Sequence, residues 1–193
     1  MIGVQVYQQD AEGKQYRIHF AGGHGGGSGD GVGIGIPDLP PGTACLLEFK
    51  THNDNSFKNV SKEGVRAAKF EHYIQMQIYM RRMGLAVALY VASNKNDDSF
   101  HMELITLNPE VADQRIDIGT EIIFSQTPPK KLYESAGFFK CKWCDSRNVC
   151  HKVITAEPMH RNCRTCQHST PLQTGGWYCN MLAKLLTEEK QLS

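Results

Sequence analysis

Residues 43–50, TACLLEFK, decide how this chain is read. The run is apolar from Ala44 to Leu47 and ends on Glu48 and Lys50, the pattern of a buried strand whose last residues are charged. Successive strand residues alternate between faces, so Glu48 and Lys50 share one face. Phe49 points to the other face, although its backbone carbonyl can still reach an ion bound near Glu48. Upstream, Asp30 sits in a glycine cradle, GGHGGGSGDGVG over residues 22–33, where backbone can approach a ligand closely. Two carboxylates converging on one point suit Mg²⁺ or Mn²⁺, hard ions that prefer oxygen ligands. A lysine beside them can orient or deprotonate an attacking water, or offset charge that builds on a transferring phosphate. Such a triplet arises by chance in many chains, so its context has to carry the reading.

Working outward, residues 4–8 and 16–20 alternate apolar with polar and flank the turn-like residues 10–13, which predicts an opening hairpin. Residues 21–35 read as a glycine loop leading through Pro37, Pro40 and Pro41 into the strand. Downstream, residues 62–83 have helical composition, with Val65, Ala68, Tyr73, Met76 and Met80 as the apolar face and Gly84 as C-cap. Residues 85–92 and 100–107 read as strands joined by a turn over 94–99. Residues 109–124 read as a helix with Asn108 as cap and Pro109 in its first turn. Pro128 and Pro129 close this part. The expected fold is α/β, a restriction-endonuclease-like core with a mixed central sheet flanked by helices over residues 1–129, followed by a small Cys/His metal-binding module over 130–193.

The glycine cradle invites a nucleotide-loop reading, but no GxGxxG register fits and no Gly-Lys-Ser/Thr follows. No helix starts directly after the glycines, so a phosphate would find no helix terminus there. The net charge of +1 over 193 residues excludes a broadly basic protein, so a nucleic-acid contact must be local. Two candidate patches are Lys58, Lys62, Arg66 and Lys69, and Lys140, Lys142, Arg147, Lys152, Arg161 and Arg164. Solvated surface charge is the competing reading of each. No apolar run approaches a membrane span and the N-terminus has no signal-peptide pattern, which predicts a protein of the cytoplasm, the host's if it is phage-encoded.

The residues resemble the RecB-like branch of the PD-(D/E)XK nuclease superfamily, in particular its phage-encoded and CRISPR-associated exonucleases. The resemblance runs from GDGVG with Asp30, through LLEFKTH with Glu48 and Lys50, to HYIQMQIYM, in which Gln75 and Tyr79 match a Gln-x-x-x-Tyr helix motif. One helical turn apart, Gln75 and Tyr79 share a face. The resemblance implies that Asp30, Glu48 and the Phe49 carbonyl hold the ion, and that Lys50, supported by Gln75 and Tyr79, serves catalysis. Many relatives also carry an N-terminal helix with a metal-binding histidine, and this chain opens on a strand instead. His24 reads as a loop residue that could stand in; Lys95 reads as surface.

Of seven cysteines, six fall between Cys141 and Cys179, which in the absence of a secretory signal points to metal rather than disulfides. Cys141, Cys144, Cys150 and His151 form one set, and Cys163, Cys166, His168 and Cys179 another, each with a CxxC knuckle suited to tetrahedral Zn²⁺. Relatives with a C-terminal cysteine triplet often hold a 4Fe-4S cluster, which remains the alternative; Cys45 reads as core packing. Trp143 and Trp177 are expected to cover the knuckles, or to stack on unpaired bases. The expected activity is Mg²⁺- or Mn²⁺-dependent hydrolysis of DNA by an exonuclease, with DNA and recombination or replication proteins as partners. The alternative is a non-catalytic zinc-dependent nucleic-acid-binding protein.

Overall fold

The computed structural model describes residues 3–152 and 162–192. The chain divides into two compact units, Met1–Thr120 and Glu121–Ser193.

The first unit is mixed α/β. Its strands are β1 (Gln5–Tyr7), β2 (Arg17–Phe20), β3 (Gly25–Ser28), β4 (Gly31–Ile34) and β5 (Ala44–His52), followed by helices α1 (Asp54–Glu63), α2 (Val65–Ala68) and α3 (Phe70–Met83), then β6 (Val87–Asn94), β7 (Phe100–Thr106) and α4 (Pro109–Phe124). The central sheet has the order β1-β4-β5-β6-β7. Only β5 and β6 pair in parallel; the other neighbours are antiparallel. Parallel neighbours need a crossover, and α1 to α3 provide it.

The opening hairpin does not form as expected. β1 pairs with β4, with Val6 opposite Gly33, while β2 pairs with β3. The two opening segments are joined instead at the turn, by the bridge between Gln9 and Gln15 and by the Asp10 N–H donating to the Lys14 carbonyl. The turn is closed by the Asp10 carboxylate, which accepts the N–H groups of Glu12 and Lys14. The glycine stretch is likewise no simple loop: it supplies β3 and β4. Glycine is needed because neighbours occupy the space of a side chain. A Cβ on Gly27 would lie 2.1 Å from the Tyr79 hydroxyl oxygen.

The single helix expected over residues 62–83 is three. Gly64, at φ 79° and ψ 162°, ends α1, and Lys69, at φ −142° and ψ 64°, separates α2 from α3. The Glu103 carboxylate accepts the Val65 N–H at 2.8 Å, satisfying a donor at the start of α2. The C-terminal end is as expected, with Gly84 left-handed at φ 70°. At α4 the Asn108 side chain accepts the Val111 N–H at 3.1 Å, an N-cap bond.

Alternation along β5 divides the core. Leu46, Val60, Val65, Met76, Met80, Tyr90 and Ala92 are buried on the face covered by α1 to α3. Cys45 and Leu47 join Ile36 and Val87 in a smaller cluster on the other face. Cys45 is fully buried, as core packing requires, and burial raises its thiol pKa to about 11.

In the second unit the elements are short: α5 (Phe139–Lys142), α6 (Arg147–Cys150), β8 (Ser169–Pro171), β9 (Trp177–Cys179), β10 (Lys184–Leu186) and α7 (Glu188–Leu192). β8, β9 and β10 form an antiparallel meander. The division between units falls within α4, ahead of Pro128 and Pro129. Among the described residues no helix is long and apolar enough to cross a membrane.

Candidate active site

Strand alternation puts Glu48, Lys50 and His52 on the helix-covered face of β5, and the parallel register sets Glu48 beside Tyr90 and His52 beside Asn94 on β6. Phe49 turns to the opposite face and is exposed. Asp30 immediately precedes β4, where Gly31 pairs with Leu47, so the ladder brings it to the level of Glu48. There its Oδ2 accepts the Phe49 backbone N–H at 2.9 Å. Asp30, Glu48 and Phe49 are thus brought together by one antiparallel pair of strands.

Glu48 is 1% exposed. Lys50 forms an ion pair with it through Nζ and Oε1, and Oε2 has no hydrogen-bond partner. Burial raises the Glu48 pKa, Lys50 opposes that shift, and the nearby charge of Asp30 adds to it. Burying a carboxylate is costly, and Lys50 offsets that cost only in part, since the Glu48 pKa stays raised. Carboxylate and carbonyl oxygens are the donor set of a hard divalent cation, and Glu48 Oε2 is the oxygen without a partner. Asp30, Glu48 and the Phe49 carbonyl would be such a cation's protein ligands. Among the described residues no three His, Cys, Asp or Glu side chains gather closely enough to hold an ion.

Gln75 and Tyr79 lie on α3, Gln75 half-buried and Tyr79 buried in the helix-side core. Neither hydrogen-bonds Asp30, Glu48 or Lys50; Tyr79 instead abuts Gly27 of β3. The neighbouring Gln77 is structural, its amide donating to the Thr106 carbonyl at 3.1 Å and accepting the Asn108 N–H at 2.6 Å. His24 follows the short 3-10 turn Ala21–Gly23, its N–H bonded to the Ala21 carbonyl. The Lys95 N–H is bonded to the His52 carbonyl at 2.8 Å, which places this residue at the end of β6 beside the site.

Sequence reasoning missed a set of polar groups next to Glu48. His52 Nδ1 lies 2.8 Å from Ser56 Oγ, and His52 Nε2 lies 2.8 Å from the Tyr90 hydroxyl. The same hydroxyl lies 2.8 Å from His72 Nδ1. Burial lowers the pKa of both histidines, that of His72 to about 4, with Lys50 adding to the effect on each. The alternation of Glu48, Lys50 and His52 was available as a signal for His52; Tyr90 and His72 come together only through the β5–β6 register and the placement of α3.

In the second unit none of the six cysteines is in a disulfide, and among the described residues neither Cys/His set is gathered closely enough to hold a metal ion. Cys141 is buried, while Cys144 and Cys150 are exposed and His151 follows α6. The backbone N–H of His168 donates to Cys166 Sγ at 3.5 Å, and that of Leu182 to Cys179 Sγ at 3.4 Å. Cys163 lies in a 3-10 turn directly ahead, its carbonyl accepting the Cys166 N–H. Trp143 is 88% exposed. Trp177 is half-buried in β9. The basic residues are partly engaged: Arg147 donates to the Ala136 carbonyl and Arg164 to the Gln191 amide oxygen, while Arg161 lies outside the described residues. In the other patch Lys58 pairs with Asp54 and Arg66 stacks over Tyr73 at 5.4 Å.

No family model matches the chain. No curated protein matches it either. A solved structure described as SSO0001 is similar at a TM-score of 0.45 with 17% identity, over 80% of this chain and 63% of that one. The chain thus spans less than two thirds of that structure, and a likeness this weak carries no argument about function.

Proposed function

We propose that the chain is a metal-dependent deoxyribonuclease with a restriction-endonuclease-like core of the PD-(D/E)XK, RecB-like kind, acting as an exonuclease in phage-type recombination, repair or degradation of DNA. The observation that carries this reading is the buried Glu48 carboxylate, ion-paired through one oxygen with Lys50 and level with Asp30. A Mg²⁺ or Mn²⁺ ion held there would polarise the phosphate and lower the pKa of a bound water. Asp30 and Glu48 contribute the negative charge that holds it, and the bond from the Phe49 N–H fixes Asp30 Oδ2. Lys50, anchored at Glu48, directs its ammonium toward the reacting phosphate, positions the attacking water and offsets charge in the transition state. Gln75 and Tyr79 support this face from α3, with Tyr79 holding β3 in place. The CxxC spacing in the sequence supports a Cys/His module with Zn²⁺, or alternatively a 4Fe-4S cluster, that guides the strand.

The test is digestion of end-labelled linear and circular DNA with Mg²⁺ or Mn²⁺. Linear substrates shorten while circles survive, and Lys50→Ala lowers the rate at least about a hundredfold, as loss of a preorganised charged group does. A Lys50→Ala protein that degrades DNA at the wild-type rate overturns the assignment.

A further inference from the structure

Beside Glu48 runs a row of hydrogen bonds that the proposed reaction does not use. It passes from Ser56 Oγ to His52, from His52 to the Tyr90 hydroxyl and from there to His72 Nδ1, each step 2.8 Å. His52 and Tyr90 are buried, and Tyr90 is the register partner of Glu48. A tyrosine hydroxyl has one proton, so it donates to one imidazole and accepts from the other. If Ser56 donates to His52 Nδ1, then His52 donates through Nε2 to the Tyr90 oxygen and Tyr90 donates to His72 Nδ1. In that order the proton left without an acceptor in the row is the His72 Nε2–H, available to a bound group; in the opposite order it is the Ser56 hydroxyl proton.

His72 is half-buried in the first turn of α3, three residues before Gln75, and its Nε2 has no hydrogen bond among the described residues. Besides burial, Lys50, His52 and Lys69 favour the neutral form of His72, and Glu71 opposes them. Lys69 sits at the break before α3, and no carboxylate pairs with it among the described residues. An Nε2–H on the His72 ring, 5.9 Å from the His52 ring on the face of β5 that also carries Lys50, suits a phosphate oxygen.

We propose that His72 is a substrate-contacting residue: its Nε2–H donates to a non-bridging phosphate oxygen of the bound nucleic-acid strand, beside Lys50 and Lys69, and Tyr90 is the positioning residue that fixes the tautomer. This rests on the reading that the site takes nucleic acid. The experiment measures binding of a labelled single-stranded DNA oligonucleotide in Ca²⁺, with thermal melting to check folding, and records the His72 ring nitrogen resonances of the full chain by NMR. His72→Ala weakens binding about tenfold, the effect of one hydrogen bond to a charged group. His72→Gln, whose amide N–H reaches the same region, returns to within about threefold of wild type. Tyr90→Phe weakens binding to an intermediate degree and moves the His72 resonances away from the Nε2–H pattern. The proposal is overturned if folded His72→Ala binds as tightly as wild type, if the wild-type resonances place the proton on Nδ1, or if the wild-type protein binds no oligonucleotide. Should His72→Ala not fold, His72→Gln, Tyr90→Phe and the wild-type resonances decide it. Wild-type protein that binds through His72 yet cuts nothing with Mg²⁺ or Mn²⁺ sinks the nuclease reading and leaves this one standing; cleavage with binding indifferent to His72 does the reverse.

Discussion

The Asp30 carboxylate is tied to Phe49, accepting its backbone N–H at 2.9 Å, and so the residue ahead of β4 is clamped to the strand that carries Glu48 and Lys50. One oxygen is committed to that bond and the other is available to a cation. Asp30→Ala should leave the metal-free melting temperature nearly unchanged, since the residue is exposed and the lost bond contributes only about 1 kcal/mol. It should abolish the rise in melting temperature that Mn²⁺ gives the wild-type protein. Differential scanning fluorimetry with and without Mn²⁺ checks both; a full Mn²⁺ shift in Asp30→Ala removes Asp30 from the ion's ligands.

Glu48 predicts an opposition between stability and activity. Its folded pKa is raised above the ordinary value of 4.5, chiefly by burial. A group shifted in this direction favours the folded state below its unfolded pKa and loses that contribution as pH rises through the folded pKa. Metal-free Glu48→Gln should therefore melt higher than wild type at neutral pH, because the burial cost of the charge outweighs the Lys50 ion pair. The gap should shrink as pH falls toward 4.5, and nuclease activity should be lost throughout. Melting curves across that range test the sign; a variant less stable than wild type at pH 7 refutes it.

Gly27 and Tyr79 make a steric prediction. A Cβ at position 27 would sit 2.1 Å from the Tyr79 hydroxyl and 2.7 Å from its ring. Gly27→Ala should cost about 1–3 kcal/mol, the usual range for overpacking, and Tyr79→Phe in the same chain should restore part of it. Urea unfolding of the single and double variants measures the coupling, and additive losses would show that the two residues do not meet.

The cysteine sets predict a metal load. Elemental analysis of purified protein should find zinc, and Cys163→Ser with Cys166→Ser should lower it while leaving the first unit's Mn²⁺ response intact. Removing zinc with a chelator should melt the second unit first, because ligand binding free energy adds directly to folding free energy in small metal modules. Iron with a broad visible absorbance identifies the cluster alternative instead.

The sequence by itself determined the pieces with a strong local signal. The apolar run ending in Glu48 and Lys50 is β5, Gly84 caps α3 because only a left-handed residue can stop the helix there, and Asn108 opens α4. Which face Glu48, Lys50 and Phe49 take follows from strand alternation alone. Tertiary structure decided what no local pattern encodes. β1 joins β4 rather than β2, and the glycine stretch becomes strands because Tyr79 and neighbouring backbone fill the space of its missing side chains. Position 69 departs from helical φ and ψ, breaking a helix that composition would have continued. The row linking Ser56, His52, Tyr90 and His72 joins residues up to 38 positions apart. It exists only because a parallel pairing and a packed helix bring them within hydrogen-bond reach, and long-range contacts of that kind leave no periodicity in the sequence.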